Sequence, residues 1–158
     1  MTEHVPIPGV DPAAPSSDPA AKPSQLPKPA PVAAPRRILI VDGHAEFVRQ
    51  LKGMFEGAGC KVEVRTDAVS GGAGVGTFKP EAAIIDLDLQ GGGGKIVYRV
   101  LRVNQVSREI PIVVLAPVGA RDVWSELNSA PHPRTLVLRR SPDLRLLLPT
   151  IKALLKLP

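Results

Sequence analysis

Residues 82–86, Ala-Ala-Ile-Ile-Asp, constrain the fold of this chain more than any other stretch. A short apolar run between turn residues is typical of a strand that is buried on both faces, as in a parallel sheet. Ligands of open parallel sheets bind just beyond the carboxyl ends of the strands. Asp86 ends this run, so it marks a candidate reaction centre.

Four further apolar runs alternate with five helical patterns along residues 36–158. The predicted strands cover residues 36–41, 61–65, 82–86, 110–115 and 135–139. The predicted helices cover residues 45–58, 67–79, 95–104, 120–129 and 144–155. This alternation predicts right-handed crossovers and a doubly wound α/β fold. The run 61–65 alternates apolar and polar residues, which indicates a strand at the edge of the sheet.

Two of the predicted helices contain residues that disfavour a helix. Gly71, Gly72, Gly74 and Gly76 lie in the second helix, and each costs about 1 kcal/mol relative to alanine in a helix interior. We therefore expect this helix to be short, frayed or irregular. Pro149 lies inside the last helix, where a proline removes a hydrogen bond and introduces a kink.

Residues 1–35 have a different composition from the rest of the chain. They contain ten of the 18 prolines together with alanine and serine, and they show no apolar periodicity. Such a segment cannot bury enough apolar surface to offset its ordering entropy. We predict a disordered Pro/Ala-rich arm over residues 1–35 that precedes a folded domain over residues 36–158. A passive tether is favoured over docking of residues 27–31 into an aromatic groove.

The first residues lack the basic start and apolar stretch of a secretory signal. No run approaches the roughly 18 apolar residues that a membrane span requires. Cys60 is the single cysteine, which excludes an internal disulfide, and we expect it to pack in the core. Together these features predict a cytoplasmic protein.

The predicted domain is basic. The chain has 20 basic and 15 acidic residues, of which two and three lie in the arm, so 18 and 12 remain in residues 36–158, a net charge of +6. This balance is compatible with nucleic acid or another acidic partner. However, the basic residues are scattered and do not interleave with aromatic residues, which argues against a nucleic-acid surface.

Two other patterns in the sequence are expected to carry no ligand. His4, His44 and His132 show no ligand spacing, so we expect no zinc site. The glycines at 91–94 are not followed by the Lys-Ser/Thr pair of a phosphate-binding loop. We interpret them as a flexible loop.

Five segments, taken in order, resemble the receiver domains of bacterial two-component response regulators. These segments are residues 38–42, 79–86, 86–94, 110–115 and 138–144. The resemblance covers residues 36–157 and implies the flavodoxin-like fold of the chemotaxis regulator. That fold has a five-stranded parallel sheet in the order 2-1-3-4-5 with helices on both faces.

Receivers accept a phosphoryl group on one aspartate with the help of a divalent metal, a lysine and a hydroxyl residue. The resemblance implies that Asp86 is the phosphoacceptor candidate and that Asp42 is a ligand of Mg²⁺. Asp88 is a weaker candidate ligand. Magnesium is held by carboxylates and phosphate oxygens and neutralises the charge of the transferring group.

This chain departs from the receiver pattern at several positions, of which three belong to the site chemistry. Gly43 stands where receivers carry a second metal-binding acid, and Ala116 stands where they carry threonine or serine. Arg140 stands at the lysine position when the last helix is aligned with receivers without gaps, and a shift of that alignment by one residue would place Arg139 there. Arginine presents its charge as a planar fork and is not equivalent to lysine. It could pair permanently with Asp86 and lower the pKa of that carboxyl.

These departures indicate a stand-alone, atypical receiver, or pseudo-receiver, in two-component-type signal transduction. We expect it to act mainly through protein contacts and not as an enzyme. The resemblance implies a contact surface formed by helix 4 (residues 120–129), strand 5 (residues 135–139) and the last helix, helix 5. The candidate partners are a histidine kinase and a second copy of the chain.

Two alternatives stay open at this point. One is a true phosphoacceptor regulator that uses Asp86 with Mg²⁺. The other belongs to a different class of function, the binding of nucleic acid or an acidic surface by the basic domain.

Overall fold

The computed structural model describes Gly9, residues 36–122, Ser125, Leu127, residues 131–141 and residues 143–156. The predicted arm, apart from Gly9, lies outside these residues, so the arm and its boundary at residue 36 stay predictions. Part of the helix predicted over residues 120–129 also lies outside them. Its described residues Arg121, Asp122, Ser125 and Leu127 are helical.

Five strands form one parallel sheet in the order β2-β1-β3-β4-β5. The strands are β1 (Arg37–Val41), β2 (Lys61–Arg65), β3 (Ala82–Asp86), β4 (Ile112–Ala116) and β5 (Thr135–Arg139). The helices are α1 (Ala45–Gly57), α2 (Ala68–Phe78), α3 (Gly93–Val103) and the last helix α4 (Leu144–Leu155), with a 3₁₀ helix at Gln90–Gly92. The predicted doubly wound α/β fold and its strand order are confirmed.

The core has two layers, one on each face of the sheet. On one face, α1 and α4 pack against alternate residues of the central strands, such as Ile40 and Ile84. On the other face, α2 and α3 pack against the intervening residues, such as Leu39 and Ile85. The central strands β1, β3 and β4 are almost entirely buried, whereas β2 and β5 are only partly buried. This burial fits the prediction of β2 as an edge strand.

β4 begins at Ile112, two residues later than expected. Pro111 has no N–H to donate to the ladder, and it takes part only through its carbonyl, which accepts a hydrogen bond from the N–H of Ala83 at 3.1 Å. The strand ends at Ala116, at the same edge of the sheet as Asp86, which pairs with Leu115.

The expectation that α2 is short, frayed or irregular is wrong. It is an α-helix of 11 residues. A Cβ atom at Gly71 would lie 2.9 Å from Cγ1 of Val41 and 3.1 Å from Cγ2 of Val97. One at Gly74 would lie 3.4 Å from Cδ1 of Leu39. These two glycines therefore let α2 lie close to the sheet and to α3, and this tertiary packing overrides the helix propensity.

The interpretation of residues 91–94 as a loop is also wrong in part. Gly91 and Gly92 adopt positive φ angles of +68° and +72° around the 3₁₀ helix. Gly93 and Gly94 already belong to α3. A Cβ atom at Gly94 would lie 2.2 Å from the carbonyl oxygen of Asp86, so only glycine allows α3 to start this close to the end of β3.

Several smaller features complete the description of the fold. The side chains of Asp67 and Asp143 cap α2 and α4 by accepting from the N–H groups of Ser70 and Arg145. Cys60 is buried in the core. Pro149 lies within α4 and does not end it. In the described part of the chain, no helix is both long and apolar enough to cross a membrane.

Candidate functional site

The carboxyl ends of β1 and β3 bring two acids together. β1 and β3 are neighbours in register, with Val41 beside Ile85, so the residues that follow, Asp42 and Asp86, lie side by side. The N–H of Asp42 donates to the carbonyl of Arg65 at 2.9 Å and so extends the ladder by one residue. Asp42 is 0% exposed and Asp86 is 1% exposed. The structure therefore joins the two acids that the sequence singled out.

The guanidinium of Arg140 contacts both acids. Its Nη2 donates to Oδ2 of Asp42 and lies 3.2 Å from Oδ2 of Asp86. The other side of the guanidinium faces the ring of Phe47, with the Cζ atom 4.7 Å from the ring centroid. The backbone N–H of Arg140 donates to the carbonyl of Ala116 at 2.7 Å. Arg140 is thus held from several sides within the site.

Arg139, the alternative for the lysine position, is exposed at the end of β5. The structure therefore places Arg140 in the site and leaves Arg139 outside it.

His44 also belongs to the site, and the sequence analysis missed it. The backbone N–H of His44 donates to Oδ1 of Asp42 at 2.8 Å. The ring Nδ1 lies 3.0 Å from the same oxygen and 3.3 Å from Oδ2 of Asp86. The side chain of His44 is 53% exposed. The available signal was that His44 follows Asp42 by two positions, directly after a buried strand.

The protonation of Asp86 is set mainly by burial. Loss of solvent raises the pKa of this carboxyl above its ordinary value, and the negative charge of Asp42 acts in the same direction. The N–H of Asp88 and the charge of Arg140 oppose this shift without reversing it. The charge of Arg140 lowers the pKa of Asp86, as expected, but burial outweighs this effect and the net shift is upward. Arg140 makes its hydrogen bond to Asp42.

One carboxylate oxygen in the site lacks a hydrogen bond. Oδ1 of Asp86 accepts from the N–H of Asp88 at 3.1 Å. Oδ2 of Asp86 is buried and lies within ion-pair distance of Arg140 and His44, yet it accepts no hydrogen bond from the described part of the chain. A buried acceptor in this state favours the approach of a cation or a donor.

A cleft of about 440 Å³ opens next to the acids. Its lining includes Gly43, Thr66 and Asp88 together with His44 and Asp86. Asp88 is exposed and contacts Asp86 through its backbone N–H. A Cβ atom at Gly43 would meet only the carbonyl oxygen of Thr66, at 3.8 Å. The cleft therefore has room for the side chain that this position lacks.

Three side chains could together hold a metal ion. One ligand atom from each of Asp42, His44 and Asp86 lies within 4.8 Å of the other two. Asp88, the third acid named from the sequence, is not part of this cluster. The expectation that no histidine would have ligand spacing does not hold for His44.

The known proteins that this chain matches are solved structures with a similar fold. No protein-family model and no curated protein sequence matches the chain. Solved structures do match it. A sensor protein from Polaromonas sp. JS666 is 28% identical with a TM-score of 0.62, over 77% of this chain and 96% of that one.

Two further structures extend the comparison. The chemotaxis protein CheY4 of Vibrio cholerae is 19% identical with a TM-score of 0.66, over 77% of this chain and 99% of that one. The receiver domain of the sensor histidine kinase PA1611 from Pseudomonas aeruginosa PAO1 is 17% identical with a TM-score of 0.64, over 78% of this chain and 99% of that one. That structure has a magnesium ion coordinated in its active-site cleft.

This chain has the receiver-domain fold. In this receiver fold, Asp42 directly follows β1, Asp86 is the last residue of β3, and Arg140 directly follows β5. Ala116 ends β4 with a buried methyl group, and it contributes its carbonyl oxygen to Arg140. The receiver fold is therefore intact around a site whose polar groups differ from those that the resemblance implied.

Proposed function

We propose that this chain is a receiver-fold module of two-component-type signalling that acts mainly through protein contacts. The observation that supports this proposal is the position of Arg140. Its guanidinium contacts Asp42 and Asp86 at once, so a fixed positive charge already lies beside both carboxylates. Arg140 therefore offsets part of the negative charge of the two acids.

The same arrangement disfavours phosphoryl transfer. A transferring phosphoryl group needs a metal ion to neutralise its charge and donors for its oxygens. Asp42 is engaged by Arg140, Gly43 supplies no carboxylate, and Ala116 supplies no hydroxyl. Arg140 would have to leave Asp42 before that carboxylate could serve fully as a metal ligand.

The proposed contact surface includes β5 and the last helix, α4, which the sequence analysis counted as helix 5. β5 lies at the edge of the sheet and is only partly buried. On α4, Leu146 is 70% exposed. A single exposed apolar side chain does not by itself mark an interface, so this part of the proposal rests on the resemblance to receivers, and a histidine kinase and a second copy of the chain are the candidate partners. We propose that the module has no turnover chemistry on a separate substrate.

Chemical phosphorylation tests this proposal. The intact chain is incubated with acetyl phosphate and Mg²⁺, and its mass is followed. We expect no stoichiometric addition of a phosphoryl group. Asp86→Asn is the matched control because it removes the acceptor oxygen and keeps the shape of the side chain. Stoichiometric addition that is abolished in Asp86→Asn would contradict the proposal.

A second candidate function, a true phosphoacceptor, has one observation in its favour. Oδ2 of Asp86 is buried without a hydrogen bond and belongs to a residue that lines the 440 Å³ cleft. The receiver domain of PA1611, which has a similar fold, has a magnesium ion coordinated in its active-site cleft, and phosphoryl transfer uses Mg²⁺. The same mass measurement distinguishes this candidate from the proposed function.

Nucleic-acid binding is the alternative of a different class. It rests on the net charge of +6 over residues 36–158, where 18 basic and 12 acidic residues lie. Binding through phosphate contacts predicts an affinity that falls steeply with salt concentration. We expect no such binding, and an affinity for duplex DNA with a steep salt dependence would support this alternative.

A further inference from the structure

We propose that Asp42, His44 and Asp86 form a binding site for a borderline divalent transition-metal ion, of the Zn²⁺ or Co²⁺ class. This inference rests on the proposed function, because it takes the site not to be a working magnesium-phosphate centre. It differs from the resemblance to receivers, which implied Mg²⁺. The difference arises from a single residue, His44.

The distances in the cluster suit a small metal ion. Nδ1 of His44 lies 3.0 Å from Oδ1 of Asp42 and 3.3 Å from Oδ2 of Asp86. A four-coordinate Zn²⁺ with ligands at about 2.0–2.2 Å has neighbouring ligand atoms roughly 3.3–3.5 Å apart. The two distances from Nδ1 of His44 therefore approach the spacing of such a site, and the two carboxylate oxygens lie within 4.8 Å of each other.

The chemistry of the donors favours a transition metal over magnesium. Mg²⁺ prefers oxygen ligands in octahedral geometry and retains several waters. Imidazole nitrogen suits Zn²⁺, Co²⁺ and Ni²⁺, and carboxylate oxygen is compatible with both classes. Gly43 supplies no carboxylate, so the third donor of this cluster is a nitrogen.

A second observation points independently to a cation. Oδ2 of Asp86 belongs to a side chain that is 1% exposed, and it accepts no hydrogen bond from the described residues. This is the oxygen that Nδ1 of His44 approaches. An ion coordinated by both atoms would satisfy the remaining acceptor. The exposed ring of His44 can carry its proton on Nε2 while Nδ1 binds the ion.

Arg140 and the ion would compete for the acids. The guanidinium contacts Oδ2 of Asp42 and lies 3.2 Å from Oδ2 of Asp86. A divalent ion at the cluster would be repelled by this charge. We therefore expect metal binding to weaken the contacts of Arg140 with the acids. Removal of the Arg140 charge is expected to strengthen metal binding.

The experiment is a titration of the intact chain with Co²⁺, followed by visible absorption, with Zn²⁺ as competitor and Mg²⁺ in a parallel titration. We expect Co²⁺ bands typical of nitrogen and oxygen ligation in the wild type. His44→Ala is expected to weaken Co²⁺ binding by about 100-fold, since it removes one of the three ligands. Its effect on Mg²⁺ affinity should stay within about threefold, because oxygen ligands hold that ion.

The matched control is the double variant His4→Ala/His132→Ala, which removes the other two histidines and leaves the site intact. It should bind Co²⁺ within about twofold of the wild type, because its site ligands are unchanged. Arg140→Met should bind about tenfold more tightly, since one nearby positive charge is removed. Circular dichroism confirms that each variant is folded before its affinity is compared.

The inference is overturned if Co²⁺ binds His44→Ala as tightly as the wild type, if the double variant loses the Co²⁺ signal, or if no Co²⁺ binds at millimolar concentration. None of these outcomes bears on the proposed function, which is decided by the mass of the chain after treatment with acetyl phosphate. Conversely, stoichiometric phosphorylation with Mg²⁺ would contradict the proposed function and leave the Co²⁺ measurement to be judged by itself.

Discussion

Arg140 donates from Nη2 to Oδ2 of Asp42 and so joins the ends of β5 and β1 across 98 positions of sequence. The side chain of Arg140 is 17% exposed and that of Asp42 is 0% exposed. Breaking a buried ion pair by removing one partner is costly, because the other charge is left in a medium of low dielectric. The stability of the domain and the state of its acid site therefore depend on the same contact.

Replacement of this arginine is expected to destabilise the fold. Arg140→Ala should lower the free energy of unfolding by about 3 kcal/mol at pH 7, because Asp42 and Asp86 lose their nearest fixed positive charge. Arg139→Ala is the matched control at an exposed neighbouring position and should change it by less than about 0.5 kcal/mol. Urea denaturation followed by circular dichroism measures both. Equal effects of the two substitutions would contradict this role of Arg140.

The raised pKa of Asp86 predicts a particular pH dependence. A buried carboxyl whose pKa is higher in the folded state favours folding while it is protonated. That contribution is lost as the pH rises from the ordinary aspartate value of about 3.9 through the higher folded pKa. Asp86→Asn should therefore become more stable relative to the wild type as the pH rises from about 4 to 7. Urea midpoints across this range measure the difference, and a trend in the opposite direction would mean that the pKa is lowered.

The glycines of α2 should fall into two classes when replaced by alanine. Gly76→Ala should raise the free energy of unfolding by about 1 kcal/mol, because its Cβ atom meets nothing within 4 Å and alanine favours the helix. Gly71→Ala should lower it by about 1–3 kcal/mol, because its Cβ atom would lie 2.9 Å from Val41. Thermal unfolding of the two variants tests the packing of this helix. A stabilising Gly71→Ala would show that α2 does not lie this close to β1.

Gly94 should tolerate no side chain. Gly94→Ala would place a Cβ atom 2.2 Å from the carbonyl oxygen of Asp86 and 2.6 Å from Cα of Leu87. Both are backbone atoms, so the start of α3 or the end of β3 must move, at a cost of about 3 kcal/mol. Gly53→Ala in α1 is the control, because nothing lies within 4 Å and alanine should stabilise by about 0.5–1 kcal/mol. Urea denaturation compares the two, and a neutral Gly94→Ala would refute the close approach.

The sheet could be predicted because its signals are local. Residues 82–86 are apolar up to the acid that ends them, and the other strands are marked by local runs or alternations of apolar residues. The strand order came from the resemblance to receivers, which preserves the separations between the motifs. Asp42 and Asp86 were paired correctly because the acids follow neighbouring parallel strands.

The features that were missed depend on contacts between distant segments. Helix propensity treats Gly71 as a local penalty, whereas its role is set by Val41, thirty positions earlier in the chain. His44 has no ligand spacing along the sequence, because its second neighbour in the site, Asp86, is supplied by β3. Likewise, the preference of Arg140 for Asp42 over Asp86 follows from side-chain geometry that no sequence pattern records.

The central claim is that Gly43, Ala116 and Arg140 together keep Asp86 from accepting a phosphoryl group. Restoring the receiver groups in Gly43→Asp/Ala116→Ser/Arg140→Lys tests it most directly, because position 43 has room for a side chain. The masses of the wild type, the triple variant and the triple variant with Asp86→Asn are measured after incubation with acetyl phosphate and Mg²⁺. We predict a phosphoryl group on the triple variant alone. Stoichiometric addition to the wild type at Asp86 would contradict the account.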